Sequence, residues 1–188
     1  QVEAANNIRL DVNYYYWPSN FVNNVPGYMT GSGMPQRFAN LDGTVIGTYQ
    51  SETQMTDESG QAYPFTANTL LDRAVGSEEY YSYFVANIHT DSSTNQTQTW
   101  AQNIVDAAIA RSVPVISSKQ MLDFMEGREA SAFTGITWSG NTLTFSMTAG
   151  ANTNGMQMML PLYASSGALA FVTRGGNSVT YTTRSEEH

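Results

Sequence analysis

At 188 residues, 41% of them hydrophobic and 12% aromatic, the chain is long enough to bury one good core or two small ones, and too aromatic for intrinsic disorder. Sixteen acidic side chains against eight basic ones, with Lys119 the one lysine, give a net charge of −8. That balance excludes a counterion-releasing nucleic-acid surface, disfavours an anionic membrane, and leaves a neutral glycan or polysaccharide as the compatible partner.

The chain has no cysteine, so disulfide frameworks, zinc knuckles and thiol nucleophiles are excluded. Only 13% of residues are charged, with Asn, Ser, Thr and Gln in their place. Such lysine-poor, cysteine-free compositions are common among exported bacterial proteins, so the expected location is secreted or at the cell surface. No apolar run approaches the ~18 residues that span a bilayer, so membrane insertion is not expected. Gln1 leads almost at once into Ile8-Arg9-Leu10-Asp11-Val12, which reads as a strand already under way and as a fragment of a longer chain.

In chain order, the first element is a strand over about 8–16, stopped by Trp17-Pro18. An irregular stretch rich in Gly and Pro follows. Arg37-Phe38-Ala39 and Thr44 to Tyr49 read as short strands, joined by a turn at Asp42-Gly43. Thr66 to Ala74 reads as a helix with Leu70, Leu71 and Ala74 on one face and Gly76 as its stop. Tyr80 to Ile88 is nearly continuous in apolar and aromatic character, which suits a strand of a parallel sheet buried on both faces. A helix over about 98–111 and a β-branched strand, Val113 to Ile116, come next. Ser117 and Gln120 form a capping box for a helix that Gly127 ends. Strand and helix in alternation imply βαβ units and a parallel sheet.

Near residue 130 the style changes. Phe133 to Trp138 and Thr142 to Thr148 flank the turn Ser139-Gly140-Asn141, with Leu143, Phe145 and Met147 on one face. Gly155 to Leu160 reads as a third strand, and Ala168 to Thr173 with Ser178 to Thr183 as a second hairpin. This alternation implies an antiparallel sandwich, cut short at its C-terminus. The domain expectation is 1–130 for the α/β part and 131–188 for the β-module.

His89-Thr90-Asp91 is the sharpest chemical candidate. It follows the strand expected to be most buried, and ligands bind at the carboxyl ends of parallel strands. A histidine titrating near neutrality suits proton transfer, and a carboxylate such as Asp91 can raise and orient it. A histidine merely packing the strand end is the competing reading. Asp11 sits on another expected strand, ahead of the aromatic run that includes Tyr14, Tyr16 and Trp17. These rings, with Arg37, are candidate substrate-binding groups for a glycan, although strand periodicity would turn half of the ring cluster into the core. Asp57-Glu58 and Glu78-Glu79 read as solvated loop charges, and no metal ligand set is legible.

The segments Val85 to Asp91 and Ile104 to Leu122 resemble the last two βα units of NodB-type polysaccharide deacetylases, in which a strand carrying a Leu-x-His motif is followed by a helix, a strand and a closing helix. The resemblance spans roughly residues 8–127. It implies the C-terminal part of a (β/α) barrel with mostly parallel strands, followed by a β-module as in a group of exported bacterial proteins. It also implies a metal-dependent hydrolase that removes acetyl groups from glycans, with His89 as the general acid. The family's Asp-Asp motif and metal-binding histidines lie in the barrel's first half. Arg9 to Asn13 does not match its Arg-x-Pro strand, and Gly47-Thr48-Tyr49-Gln50 stands in place of its Trp motif. The piece in hand is therefore expected to hold no cofactor and to be inactive alone, with a divalent, zinc-like metal belonging to the longer parent. The competing class is a non-catalytic carbohydrate-binding or cell-surface structural module. A half-barrel would leave free strand edges, so association with an N-terminal half or a second copy is expected.

Overall fold

The most deeply buried strand in the computed structural model is also one of the most polar. The structure describes residues 1–14, 33–58, 60–77, 83–91 and 95–183. The chain divides into two units, Gln1–Ser118 and Lys119–His188.

In the first unit a short helix, α1 (Val2–Ala5), leads to strand β1 (Leu10–Tyr14). Strands β2 (Gln36–Ala39) and β3 (Val45–Thr56) form a hairpin, with Arg37 opposite Tyr49 and Ala39 opposite Val45. The turn expected at Asp42-Gly43 is there. Asp42 Oδ1 accepts the Thr44 N–H at 3.0 Å and the Thr44 hydroxyl at 2.7 Å, and these bonds hold its carboxyl below the usual range. On another path β3 pairs parallel with β1 and with β4 (Val85–Asn87), giving a four-stranded mixed sheet around β3.

β3 runs twelve residues, not the six read from Thr44 to Tyr49. Its second half, Gln50-Ser51-Glu52-Thr53-Gln54-Met55-Thr56, is polar and buried nearly throughout. A buried polar side chain is tolerated when it is hydrogen-bonded. Thr48 Oγ1 donates to Ile8 O at 2.7 Å, and Thr53 Oγ1 donates to Val12 O in the β1 segment. Gln54 Oε1 accepts the Val85 N–H at 2.8 Å and so fastens β4. These side chains tie strand to strand as a ladder of cross-links.

Helices α2 (Phe65–Val75) and α3 (Asn95–Ala110) pack their apolar stripes together. Ala67, Leu70 and Leu71 of α2 join Ala107 and Ala108 of α3 with Met55 and Tyr63 in one core, flanked by Phe84, Trp100, Ile104 and Val113. Burying a Leu70-sized side chain is worth about 1.5–3 kcal/mol. Arg111 reaches from the end of α3 to Asp72, with Nε–Oδ1 at 2.6 Å and Nη2–Oδ2 at 3.0 Å, a two-pronged pair.

In the second unit α4 (Ser118–Glu129) precedes three separate two-stranded antiparallel sheets: β5 (Ala132–Ser139) with β6 (Thr142–Thr148), β7 (Tyr163–Ala164) with β8 (Gly167–Ala168), and β9 (Val172–Arg174) with β10 (Asn177–Val179). Gly127 does not stop α4; the helix passes through it to Glu129. A Cβ at Gly127 would stand 1.8 Å from Ala151 O, and one at Gly150 would stand 2.2 Å from Gly127 O. The two glycines let the last turn of α4 touch the 150–153 backbone. Ser131 locks this crossing, donating from Oγ to Gly127 O at 2.8 Å and accepting the Gly150 N–H at 2.9 Å.

The expected partial (β/α) barrel with mostly parallel strands, followed by an antiparallel sandwich, is thus corrected. Among the described residues there is one β–α–β unit, β3–α2–β4, and no closed barrel. β2 lies antiparallel to β3, and β4 covers Val85–Asn87 of the strand expected from Tyr80 to Ile88, whose residues 80–82 lie outside the described ones. Val113 to Ile116 is not a strand. Ser112 takes a left-handed conformation (φ 57°), with Val113 N–H bonded to Ala108 O and Ser112 N–H to Ile109 O. That is a Schellman closure of α3, which spends the β-branched Val113 as its apolar clasp. Gly155 to Leu160 also forms no strand, and the isolated two-stranded sheets make no sandwich. No helix among the described residues is long and apolar enough to cross a membrane.

Candidate functional site

The sheet places His89 two residues beyond β4 and Asp57 one residue beyond β3. Thr56 and Asn87 are register partners on these two adjacent parallel strands. Two chain segments therefore leave the sheet side by side, at the carboxyl edge where parallel layers gather their functional groups. The Asp57 carboxylate engages His89 at two points: Nδ1 stands 2.9 Å from Oδ1, and the backbone N–H donates to Oδ2 at 3.2 Å. Asp57's side chain is 6% exposed and that of His89 is 45% exposed, so the carboxylate is a buried seat and the ring a solvent-facing group. Glu58 Oε1 lies 4.0 Å from Nε2, on the other side of the ring.

The electrostatics follow from this seating. The hydrogen bond to Asp57, then the charges of Asp57, Glu58 and Asp91, hold the His89 imidazole above its ordinary value, and its slight desolvation opposes them only in part. Burial would push the Asp57 carboxyl up, but the bonds from the His89 ring and backbone and from its own backbone N–H outweigh it, and the group sits below the usual carboxylate range. The pair is therefore an imidazolium–carboxylate over an extended stretch of pH.

The loop carrying Asp57 is itself held. Gln61 Oε1 accepts the Thr56 N–H at 3.1 Å and the Tyr63 hydroxyl at 2.8 Å, while Gln61 Nε2 donates to Gln54 O at 2.8 Å. Tyr63 Oη also lies 3.2 Å from Thr56 O, and its ring packs on Trp100 with centroids 5.7 Å apart. Burial pushes the Tyr63 phenol well up, so it stays a neutral hydrogen-bonding post. Gln54, Gln61 and Tyr63 thus fix the end of β3, and with it the carboxylate.

The sequence-based candidates divide accordingly. Asp91 lies exposed, two residues past His89, and adds to the field favouring the imidazolium. Asp11 pairs with Gln50, seven residues before Asp57 and so roughly 20 Å away along the strand. There it shares a hydrogen bond with Glu3 that, more than any other influence, holds the Glu3 carboxyl above its usual range, while Gln50 Nε2 donates to Glu3 Oε2 at 2.9 Å. Arg37 stands over the Tyr49 ring at 5.2 Å, also in the first half of β3 and away from His89. Tyr14 ends β1 opposite Glu52, while Tyr16 and Trp17 lie outside the described residues. Asp57, read as a solvated loop charge, is instead the buried partner. No local signal marked it, because the polar residues 50–56 before it do not read as a strand.

Asp57 is engaged by His89 through both oxygens, and no group of three His, Cys, Asp or Glu side chains converges as a metal-ligand set among the described residues. The divalent metal implied by the deacetylase resemblance finds no fitting donors there. Compared with family models, with curated proteins and with solved structures, the chain gives no significant match in any of the three.

Proposed function

We propose that the first unit carries an acid–base centre of an extracellular, glycan-active hydrolase, with His89 as its proton donor and Asp57 as the residue that positions it. The observation that carries this reading is the two-point seat of His89 on a buried carboxylate at the carboxyl ends of adjacent parallel strands. Nδ1 is committed to Asp57, so the ring offers Nε2–H outward. The raised proton affinity widens the pH range over which that nitrogen stays protonated and can act as an acid. Such a group protonates a leaving alkoxide or amine as its bond to an acyl or glycosyl carbon breaks. The role matches the one that the deacetylase resemblance gives to His89. A neutral glycan fits the charge balance, because sixteen acidic groups against eight basic ones repel polyanions.

The test is a titration of the labelled chain with neutral oligosaccharides, acetylated chito-oligosaccharides first, while the His89 ring resonances are followed. A saturable shift centred on His89 and the 57–61 loop is expected, and it should vanish in His89→Gln. If the whole oligosaccharide panel leaves those signals in place, the glycan-directed reading is lost.

A further inference from the structure

We propose that the β5–β6 hairpin is a self-association surface, where a second copy of this chain packs its own hairpin face to face. The argument begins with a bulge. Thr134 pairs with Ser146 and Thr137 with Thr144, so Gly135 and Ile136 together oppose Phe145 alone. Gly135 has the positive φ, 61°, of a glycine-type bulge. The extra residue reverses the alternation midway along β5. Phe133, opposite Met147, and Trp138, opposite Leu143, therefore share a face despite their odd spacing, and Ile136 joins them. The Phe133 and Phe145 rings meet edge to face at 5.4 Å in the middle of it. Thr134, Thr137, Ser139, Thr142, Thr144 and Ser146 take the other side. The hairpin is one apolar face and one hydroxyl face, closed by a Gly140-Asn141 turn with both φ positive (55° and 61°).

The apolar face is open. Phe133 is 50% exposed, Ile136 62%, Trp138 55%, and Leu143 and Met147 38% each. With 150–250 Å² for an aromatic side chain, these five leave roughly 500 Å² of contiguous apolar surface, at the upper end of what a monomer shows. Two such faces in contact would bury about 1,000 Å², the lower bound of a specific interface. A lone two-stranded sheet is also marginal in water and needs a partner layer.

Charge decides what that layer is. From Ala130 to Thr173 the sequence has no Asp, Glu, Lys, Arg or His, although the chain as a whole carries −8. A face that meets its own copy across a twofold axis must not repel itself, and this one has nothing to repel with. A glycan platform would need hydrogen-bonding groups among its rings, and here the hydroxyls lie on the opposite side. Two hairpins stacked about 10 Å apart would form a small sandwich, closing by association the layer that each unit leaves open.

Sedimentation velocity of the chain over a concentration series tests this. A reversible dimer in the micromolar range is expected. Ile136→Lys and, separately, Trp138→Ser should weaken it about tenfold or more, while Thr144→Lys on the hydroxyl face should leave it unchanged. Because a variant could also disturb the hairpin, a soluble paramagnetic relaxation agent on the wild-type chain gives an independent readout. At high concentration it should spare the Ile136 and Met147 methyls and still broaden the Thr144 methyl. A monomer at every concentration, a dimer indifferent to Ile136→Lys, or a monomer that instead sediments with zwitterionic lipid vesicles would each overturn the proposal.

Discussion

The two units solve the problem of a β-layer in opposite ways. In the first, a polar strand is buried and its neighbours satisfy much of it, Ser51 Oγ being left without a partner: Thr48 and Thr53 bond to the β1 segment, Gln54 to β4, and Gln61 and Tyr63 to the strand's own end. In the second, a hairpin turns its hydroxyl face to water and leaves its apolar face half exposed. A buried polar network is costly unless complete, but once complete it fixes one arrangement. An apolar face is satisfied by any dry partner, and so specifies less. The first unit is accordingly where a positioned chemical pair is found, and the second is where we place a proposed interface.

The largest expected effect is in the second unit, at the tight backbone crossing of α4. Gly127→Ala forces a Cβ to within 1.8 Å of Ala151 O, with backbone on both sides. A loss of more than about 4 kcal/mol is expected, because neither partner is a flexible side-chain tip. Hydrogen exchange of the Gly150 amide and the β5–β6 amides would read it, and protection equal to wild type would refute the crossing. In the first unit, Leu70→Ala opens a cavity in the α2–α3 core and is expected to cost about 2–5 kcal/mol in chemical denaturation. A loss below 1 kcal/mol by the same measurement would mean that α2 does not carry the core.

Gln61→Leu sharpens the comparison more finely. It keeps the volume but strips the Thr56 N–H and the Tyr63 hydroxyl of an acceptor and Gln54 O of a donor. A loss of about 1–3 kcal/mol is expected in denaturant unfolding, together with a weaker hold on His89 seen in its titration. A leucine as stable as the wild-type glutamine would show that this network does not need to be complete.

What the sequence disclosed follows the same division. Turns were legible because their chemistry is local: Asp42-Gly43 and Gly140-Asn141 both lie between paired strands. The three long helices were legible from apolar spacing. The second half of β3 was not, because Gln50 to Thr56 lacks an apolar signal, and its β-branched threonines are buried only through contacts distant in sequence. The Val113 to Ile116 run misled, since a Schellman clasp and a short strand both call for β-branched residues. The barrel expectation extrapolated a repeating βα pattern from one genuine β–α–β unit. His89 was singled out from its place after a strand. Asp57 was missed, because nothing local distinguishes a carboxylate that a neighbouring strand will cover from one left in water.

The smallest effect bears most directly on the chemistry. Asp57→Asn removes the charge beneath His89 and keeps the shape, so the His89 midpoint should fall back toward the ordinary ~6.5 in a proton NMR titration. The sign for stability follows from both partners. The raised His89 contributes stability that is present in full below ~6.5 and lost as pH rises through its higher folded value. The lowered Asp57 contributes stability present above ~3.9 and lost as pH falls through its lower folded value. Wild type should therefore show a shallow stability maximum between those limits, and Asp57→Asn should flatten it. Glu58→Gln, whose carboxylate lies 4.0 Å from Nε2 in solvent, should move the midpoint down by less than Asp57→Asn does. If the two variants shift His89 equally, the ring responds to the general acidity of its surroundings. The buried seat would then not be what sets its proton affinity.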